Sequence, residues 1–207
     1  MQDLKNLNNL LPKTKTLLLE LIDNCPFLHK YVLVGGSALS IYLGHRKSED
    51  LDFFTYSDTF DKKEIFKYLK NFHQKEIINQ TNEQIDVLIN GVKVRFFNAK
   101  WSFLEPKEKK RFNIATIKSI AIMKINVLFL RAKFRDYYDI YFLVKEKMTI
   151  NQIYKESIKV LDGITYKLFI TALLYIDDID DDNIEYLEPI EHLSKSDIRD
   201  YFQKEIG

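Results

Sequence analysis

Leucines 10, 17, 18 and 21 recur on one side of a helical wheel, so the pattern predicts an amphipathic helix over Leu7–Leu21. After Pro26, Tyr31-Val32-Leu33-Val34 is a short apolar run suited to a buried strand. Gly35-Gly36 interrupts it. Ser37–Leu43 then reads as a short helix closed by Gly44. Asp50-Leu51-Asp52-Phe53-Phe54 alternates charged and apolar positions, which predicts a second strand. Asp61 is placed to cap a helix reaching about Asn71. Gln84–Ile89 and Val92–Phe97 flank Asn90-Gly91, the dipeptide that favours a type I′ hairpin turn. From about Ile114 the periodicity is helical, over Ile117–Arg131, Asp136–Val144, Ile150–Val160, Thr165–Ile176 and Lys195–Glu205, with no further strand expected.

The composite is α+β: a small mixed-sheet domain over residues 1–110, followed by a helical domain over 111–207. A chain of 207 residues, 46% hydrophobic and 14% aromatic, is long enough for such a division. Its 31 basic and 30 acidic residues nearly cancel. Attraction to phosphate must therefore come from local groups and not from bulk charge. A single cysteine, Cys25, excludes an internal disulfide and reads as a buried small hydrophobe. Met1–Lys5 lacks the basic start and apolar run of a secretion signal, and no stretch approaches the roughly 18 apolar residues of a membrane span. A cytoplasmic protein with no membrane partner is the expectation.

Strand, Gly35-Gly36-Ser37, then helix places backbone N–H groups at a positive helix terminus, where a phosphate can sit and glycine permits close approach. Alone, such a turn is usually only a turn. Asp50 and Asp52 alter that, because residues i and i+2 of a strand share a face and bring two like charges together. Magnesium relieves that repulsion, since it takes one or two carboxylates together with substrate phosphates. A triphosphate-and-metal site is the reading this combination favours over a solvated polar strand face.

Val34-Gly35-Gly36-Ser37, a short helix, and Asp50-Leu51-Asp52-Phe53-Phe54 resemble the signature of DNA polymerase β-like nucleotidyltransferases. The fuller string through Leu43-Gly44-His45-Arg46 resembles the AbiEii/AbiGii toxin family of type IV toxin–antitoxin and abortive systems. The resemblance implies that Gly35, Gly36 and Ser37 contact NTP phosphates and that Asp50 and Asp52 hold magnesium. A third acid is often supplied by a neighbouring strand. Asp86 is its candidate here, although hairpin counting sets it opposite Arg95, and Arg95 is itself a candidate for the place where relatives carry the acid.

A second block extends the likeness. Lys124 interrupts the apolar run Ile120–Leu130, and Arg131 and Arg135-Asp136-Tyr137-Tyr138-Asp139 follow. The resemblance implies catalytic roles for Lys124 and Asp136, with Arg131 and Asp139 as further candidates, Lys124 and Arg131 toward the nucleotide. A buried Lys–Asp bridge locking two helices, or a lysine snorkelling to the surface, accounts for Lys124 equally from the residues alone. It further implies an RNA acceptor such as tRNA and a cognate antitoxin. The rival expectation is a catalytically idle protein that binds nucleotide or a partner.

Three other features invite a functional reading. The acidic run Asp177, Asp178, Asp180, Asp181 and Asp182 lacks the glycine and glutamate of a calcium loop and reads as solvated. His45 and Arg46 fall between the two halves of the motif and are as well placed for a surface turn as for a nucleotide. Lys93, Arg95, Lys100, Lys107, Lys109, Lys110 and Arg111, interleaved with Phe96, Phe97, Trp101 and Phe103, suit either an RNA grip or a solvated hairpin over core aromatics.

Overall fold

A computed structural model describes residues 6–56, 59–180 and 183–207. Met1–Lys5 and the acidic pair Asp181 and Asp182 lie outside the described residues. The chain divides into two compact units, Met1–Thr116 and Ile117–Gly207.

The first unit is built on a six-stranded mixed sheet. Its strands are β1 (Val32–Val34), β2 (Leu51–Thr55), β3 (Lys75–Gln80), β4 (Gln84–Ile89), β5 (Val92–Asn98) and β6 (Asn113–Ile114), in the spatial order β3-β4-β5-β2-β1-β6. β2 runs parallel to β5 and antiparallel to β1, and β6 runs parallel to β1. Three helices belong to this unit: α1 (Pro12–Asn24), α2 (Gly35–Leu43) and α3 (Lys62–Leu69). The second unit holds α4 (Ile117–Leu130), α5 (Phe134–Glu146), α6 (Ile150–Ser157), α7 (Tyr166–Leu174) and α8 (Lys195–Ile206). The α+β architecture expected from the patterning is the one observed.

Alternation in the central strands decides which side chains reach a site. Along β2, Leu51, Phe53 and Thr55 are buried while Asp52 and Phe54 are half-buried; along β5, Val92, Val94, Phe96 and Asn98 are buried while Lys93, Arg95 and Phe97 are half-buried. The buried face stacks Phe53 on Phe96 at 5.6 Å between ring centroids, and Phe27 and Tyr31 meet Phe96 edge-on at 5.9 and 5.3 Å. Such offset and edge contacts suit aromatic quadrupoles and add to the gain from burial. The opposite face is left for chemistry.

Local signals act where expected. Asp61 accepts a hydrogen bond from the Glu64 amide at 3.1 Å and caps α3. Asn90 and Gly91 take φ of 50° and 82°, the left-handed pair that a type I′ turn requires. Gly44 closes α2 at φ 64°.

Four elements differ from the reading of the pattern. The first predicted helix is broken: Leu7–Asn9 is a single 3-10 turn, and α1 starts at Pro12. Proline has no N–H to give and forces Leu11 out of the helical region, to ψ 149°, so it opens a helix instead of lying inside one. α2 begins at Gly35, two residues earlier than expected. β3 was not anticipated, because all six of its residues are exposed and an edge strand wetted on both faces shows no alternation. β6 was also not anticipated, since two residues carry no period.

Candidate active site

Backbone register assembles the first cluster. Val34 of β1 is paired with Asp52 of β2, Asp52 with Arg95 of β5, and Arg95 with Asp86 of β4. Neighbouring strands lie about 4.8 Å apart, so Asp52, Arg95 and Asp86 form one row across the sheet. Arg95 stands between two carboxylates. Its Nε donates to Asp86 Oδ1 at 2.8 Å and its Nη2 donates to Asp86 Oδ2 at 3.1 Å, while Nη1 lies 3.8 Å from Asp52 Oδ1. Gln84 donates to the same Asp86 carboxylate at 2.9 and 3.0 Å.

These contacts set the charges. Burial alone would raise the Asp86 carboxyl, but the Arg95 hydrogen bonds and charge outweigh it. With Gln84 and Lys93 adding, they hold it below the usual carboxylate range. Reciprocally, the Asp86 hydrogen bond strengthens the protonated state of Arg95 against desolvation, and Asp52 and Asp50 act the same way. Asp86 is thus committed to an arginine, and among the described residues no three acidic, histidine or cysteine side chains form a metal-holding group.

Asp52 is also seated against the glycine turn. Gly35 has φ +71°, and a β-carbon there would lie 2.9 Å from Asp52 Oδ2. The carboxylate occupies space that only glycine leaves open. One residue on, a β-carbon on Gly36 would meet Arg46 Nη2 at 2.6 Å. Arg46, 4% exposed, therefore lies over the start of α2, with its Nη1 donating to the Lys47 carbonyl at 2.8 Å. The first N–H groups of α2 have no acceptor within their own helix and point from its positive end.

The Ser37 hydroxyl is engaged within the protein. Ser37 is buried, and its hydroxyl is shared between the Asp50 carbonyl and Ser48 Oγ, the latter at 2.9 Å. The same segment is held from the other side by Thr14, whose hydroxyl donates to the Glu49 carbonyl at 2.7 Å, and by the Leu11 amide on the Ser48 carbonyl at 3.0 Å. Ser37 is a strut that fixes the approach to Asp50 and Asp52.

The half-buried Asp52 carboxylate against Gly35, with half-buried Asp50 two residues before it, suits one divalent cation that completes its shell with phosphate oxygens, the usual magnesium arrangement. These two carboxylates do not fit an all-protein cage. Asp86 would join only by giving up Arg95.

The helical unit carries the second cluster. Lys124 of α4 is 6% exposed, and Asp136 and Asp139 of α5 are 1% and 0% exposed. Lys124 Nζ lies 2.9 Å from Asp136 Oδ1 and 2.5 Å from Asp139 Oδ2. Asp136 and Asp139 stand one turn apart on α5 and both face α4. The remaining oxygen of Asp136 is buried with no hydrogen-bond partner among the described residues. Arg131, exposed just past the end of α4, is not part of this triad.

Sequence reasoning brought together Gly35, Gly36, Asp50 and Asp52, the Asp86–Arg95 pair, and Lys124 with Asp136. It did not find Arg95 beside Asp52, because that neighbourhood arises from parallel pairing of β2 with β5 across the 36 residues between them and not from the hairpin count. Arg46 over Gly36 depends on how α2 is seated and carries only its position in the motif as a signal.

Comparisons with known proteins bear on the fold and on the family likeness of the first unit. Residues 16–108 match the family described as Nucleotidyl transferase AbiEii toxin, Type IV TA system. An uncharacterized protein of Aquifex aeolicus is 29% identical over 194 residues, covering 89% of this chain and 94% of that one. The crystal structure of JHP933 from Helicobacter pylori aligns with a TM-score of 0.55 at 19% identity, over 95% of this chain and 96% of the other. A candidate nucleotidyltransferase, also from Helicobacter pylori, aligns at 0.50 and 21% identity, over 94% and 98%. These two structures share the fold across nearly the whole chain. Residues 16–108, which contain the glycine turn, both motif aspartates and the Asp86–Arg95 pair, are thus similar to the AbiEii nucleotidyltransferase toxin family.

Proposed function

We propose that this protein moves a nucleoside monophosphate from an NTP to an acceptor hydroxyl, with RNA as the acceptor class and magnesium as the required ion. The observation that carries the reading is the Asp52 carboxylate packed against Gly35 at the start of α2, with Arg95 beside it. Asp50 and Asp52 would hold the ion, which on binding supplies charge neutralisation at the phosphates. The N–H groups opening α2 receive phosphate oxygens, and Arg95 presents a fixed positive charge on the other side of Asp52. In the transfer, the acceptor oxygen forms a bond to the α-phosphorus as the bond to the bridging oxygen breaks. Pyrophosphate leaves, and the hydroxyl proton passes to solvent or a base. The toxin–antitoxin family supports a cognate antitoxin as partner.

The experiment is incubation with each α-labelled NTP, magnesium and total bacterial RNA, beside Asp50→Ala/Asp52→Ala. Label on a discrete RNA species only with both aspartates intact supports the proposal. A second reading, an idle nucleotide- or partner-binding protein, draws on one observation: Asp86 is engaged by Arg95, and among the described residues no third acid forms a metal-holding group with Asp50 and Asp52. Absence of label on RNA, protein or small molecules with every NTP would favour it.

A further inference from the structure

The sheet face that carries Asp52 and Arg95 continues into aromatic residues. Phe54 follows Asp52 by two residues on β2, Phe97 follows Arg95 by two on β5, and Phe54 and Phe97 are register partners. Both rings therefore lie about 6–7 Å along the strands from the carboxylate row, on the same face. Their centroids are 4.9 Å apart. Trp101 comes next at 6.2 Å from Phe54, and Phe103 stacks on Trp101 at 5.4 Å with 27° between planes. All four rings are half-buried, so they are neither core nor fully solvated. Buried aromatics of this unit such as Phe53 and Phe96 sit on the opposite face.

Cations border the run. Lys109 Nζ lies 5.6 Å from the Tyr56 ring centroid, and Lys100 is exposed beside Trp101. Both make ion pairs, with Glu105 at 3.3 Å and Glu83 at 3.2 Å, between side chains at least half-exposed, and such pairs exchange readily for another anion. From Lys100 to Arg111 the chain carries five basic and two acidic residues.

We infer that this run of rings is a stacking platform for a single-stranded RNA, whose terminal hydroxyl is thereby delivered to the Asp50/Asp52 end of the same sheet face. The inference rests on the nucleotidyl-transfer reading for its purpose but not for its geometry. A mononucleotide base needs one ring surface. A run of four half-buried rings with lysines alongside matches successive bases and their phosphates, and stacking is tolerant of sequence because every base has a π-face.

Trp101 is the chain's one tryptophan, so its fluorescence reports on the platform directly. The full-length protein is titrated with a short single-stranded oligoadenylate, with ATP plus magnesium, and with tripolyphosphate, which has no base. Saturable quenching by the oligoadenylate, at base concentrations where ATP has little effect and tripolyphosphate none, is the expected result. In a companion anisotropy measurement with labelled oligoadenylate, Trp101→Ala should bind about tenfold or more weakly. Trp101→Phe, which keeps a ring, should recover most of the affinity, and circular dichroism checks that both variants fold. Equal quenching by ATP, base for base, would assign the rings to the nucleotide and overturn the inference. So would no quenching by any probe, or unchanged affinity in Trp101→Ala. Label transfer to RNA without quenching defeats this inference alone, whereas quenching without transfer defeats only the catalytic reading.

Discussion

Removing the Lys124 ammonium while keeping its length, as in Lys124→Met, tests what the buried triad does. In the folded protein one cation at 2.9 and 2.5 Å compensates two carboxylates that are 1% and 0% exposed. Methionine fills similar volume but takes away the ammonium that both carboxylates face. Breaking a buried pair from one side costs about 3–5 kcal/mol, against a total stability of about 5–15 kcal/mol for a domain. Lys145–Glu191 supplies an internal control, since its pair is as close, 2.6 Å, but 40% and 35% exposed. Lys145→Met should cost under about 1 kcal/mol. Thermal unfolding by circular dichroism should therefore show the Lys124→Met transition lowered by more than about 10 °C, with Lys145→Met close to wild type. Adding Asp136→Asn and Asp139→Asn to Lys124→Met should restore much of the loss, because the uncompensated charge is gone. A folded Lys124→Met protein within about 1 kcal/mol of wild type would refute the lock. If that protein also failed to transfer label, the catalytic role implied for Lys124 and Asp136 would be favoured instead.

The other predictions concern the sheet unit. Gly35→Ala puts a β-carbon 2.9 Å from Asp52 Oδ2 at φ +71°; it should cost about 1–2 kcal/mol and abolish the magnesium-dependent rise in melting temperature that the proposed function predicts for wild type with NTP. A full magnesium effect in that variant would contradict the seating of Asp52. Asp86 is held below its ordinary value of 3.8, so its contribution is complete above pH 3.8 and is lost as pH falls through the lower folded value. Melting temperature against pH should accordingly fall less steeply in that acid window for Asp86→Asn than for wild type, and parallel profiles would sink the assignment. Burial pushes the Cys25 thiol from 9.0 up to about 12, so it should resist aromatic disulfide reagents at pH 8 until the protein is denatured. Stability from this group is complete below pH 9 and declines as pH rises toward 12, so Cys25→Ala should show a flatter alkaline limb. Rapid modification of native Cys25 would show the burial to be wrong.

How far the residues could be read depended on the range of the interaction. Asn90-Gly91, Asp61 and Gly44 act through backbone angles or hydrogen bonds within a few residues, so their effects were visible in the chain. The placement of Asp52 on the face opposite Phe53 follows from the two-residue strand period and was equally visible. Asp86 opposite Arg95 needed only counting back from the hairpin. Arg95 beside Asp52 required knowing that β2 pairs with β5, which no local rule supplies. Ser37 could be placed in the turn but not oriented, because its partners, Ser48 and the Asp50 carbonyl, are brought by the return of the chain. Pro12 was legible as a helix start, and the stripe of leucines runs across it although proline cannot sit inside a helix.

The edge strand Lys75–Gln80 bears on how copies of this protein behave in concentrated solution. Among the described residues nothing pairs with its outer side, and Ile77 and Ile78 are 41% and 51% exposed. Lys75 and Glu76 cancel, so net charge offers little repulsion between two such edges. What stands in the way is geometric. Pairing with β4 slips between Ile77 and Asn79, leaving Ile78 as an extra residue that kinks the strand. A kinked edge is a poor template for a second straight one, so colloidal stability at this end of the sheet rests on one surplus isoleucine, whose own side chain would otherwise favour association.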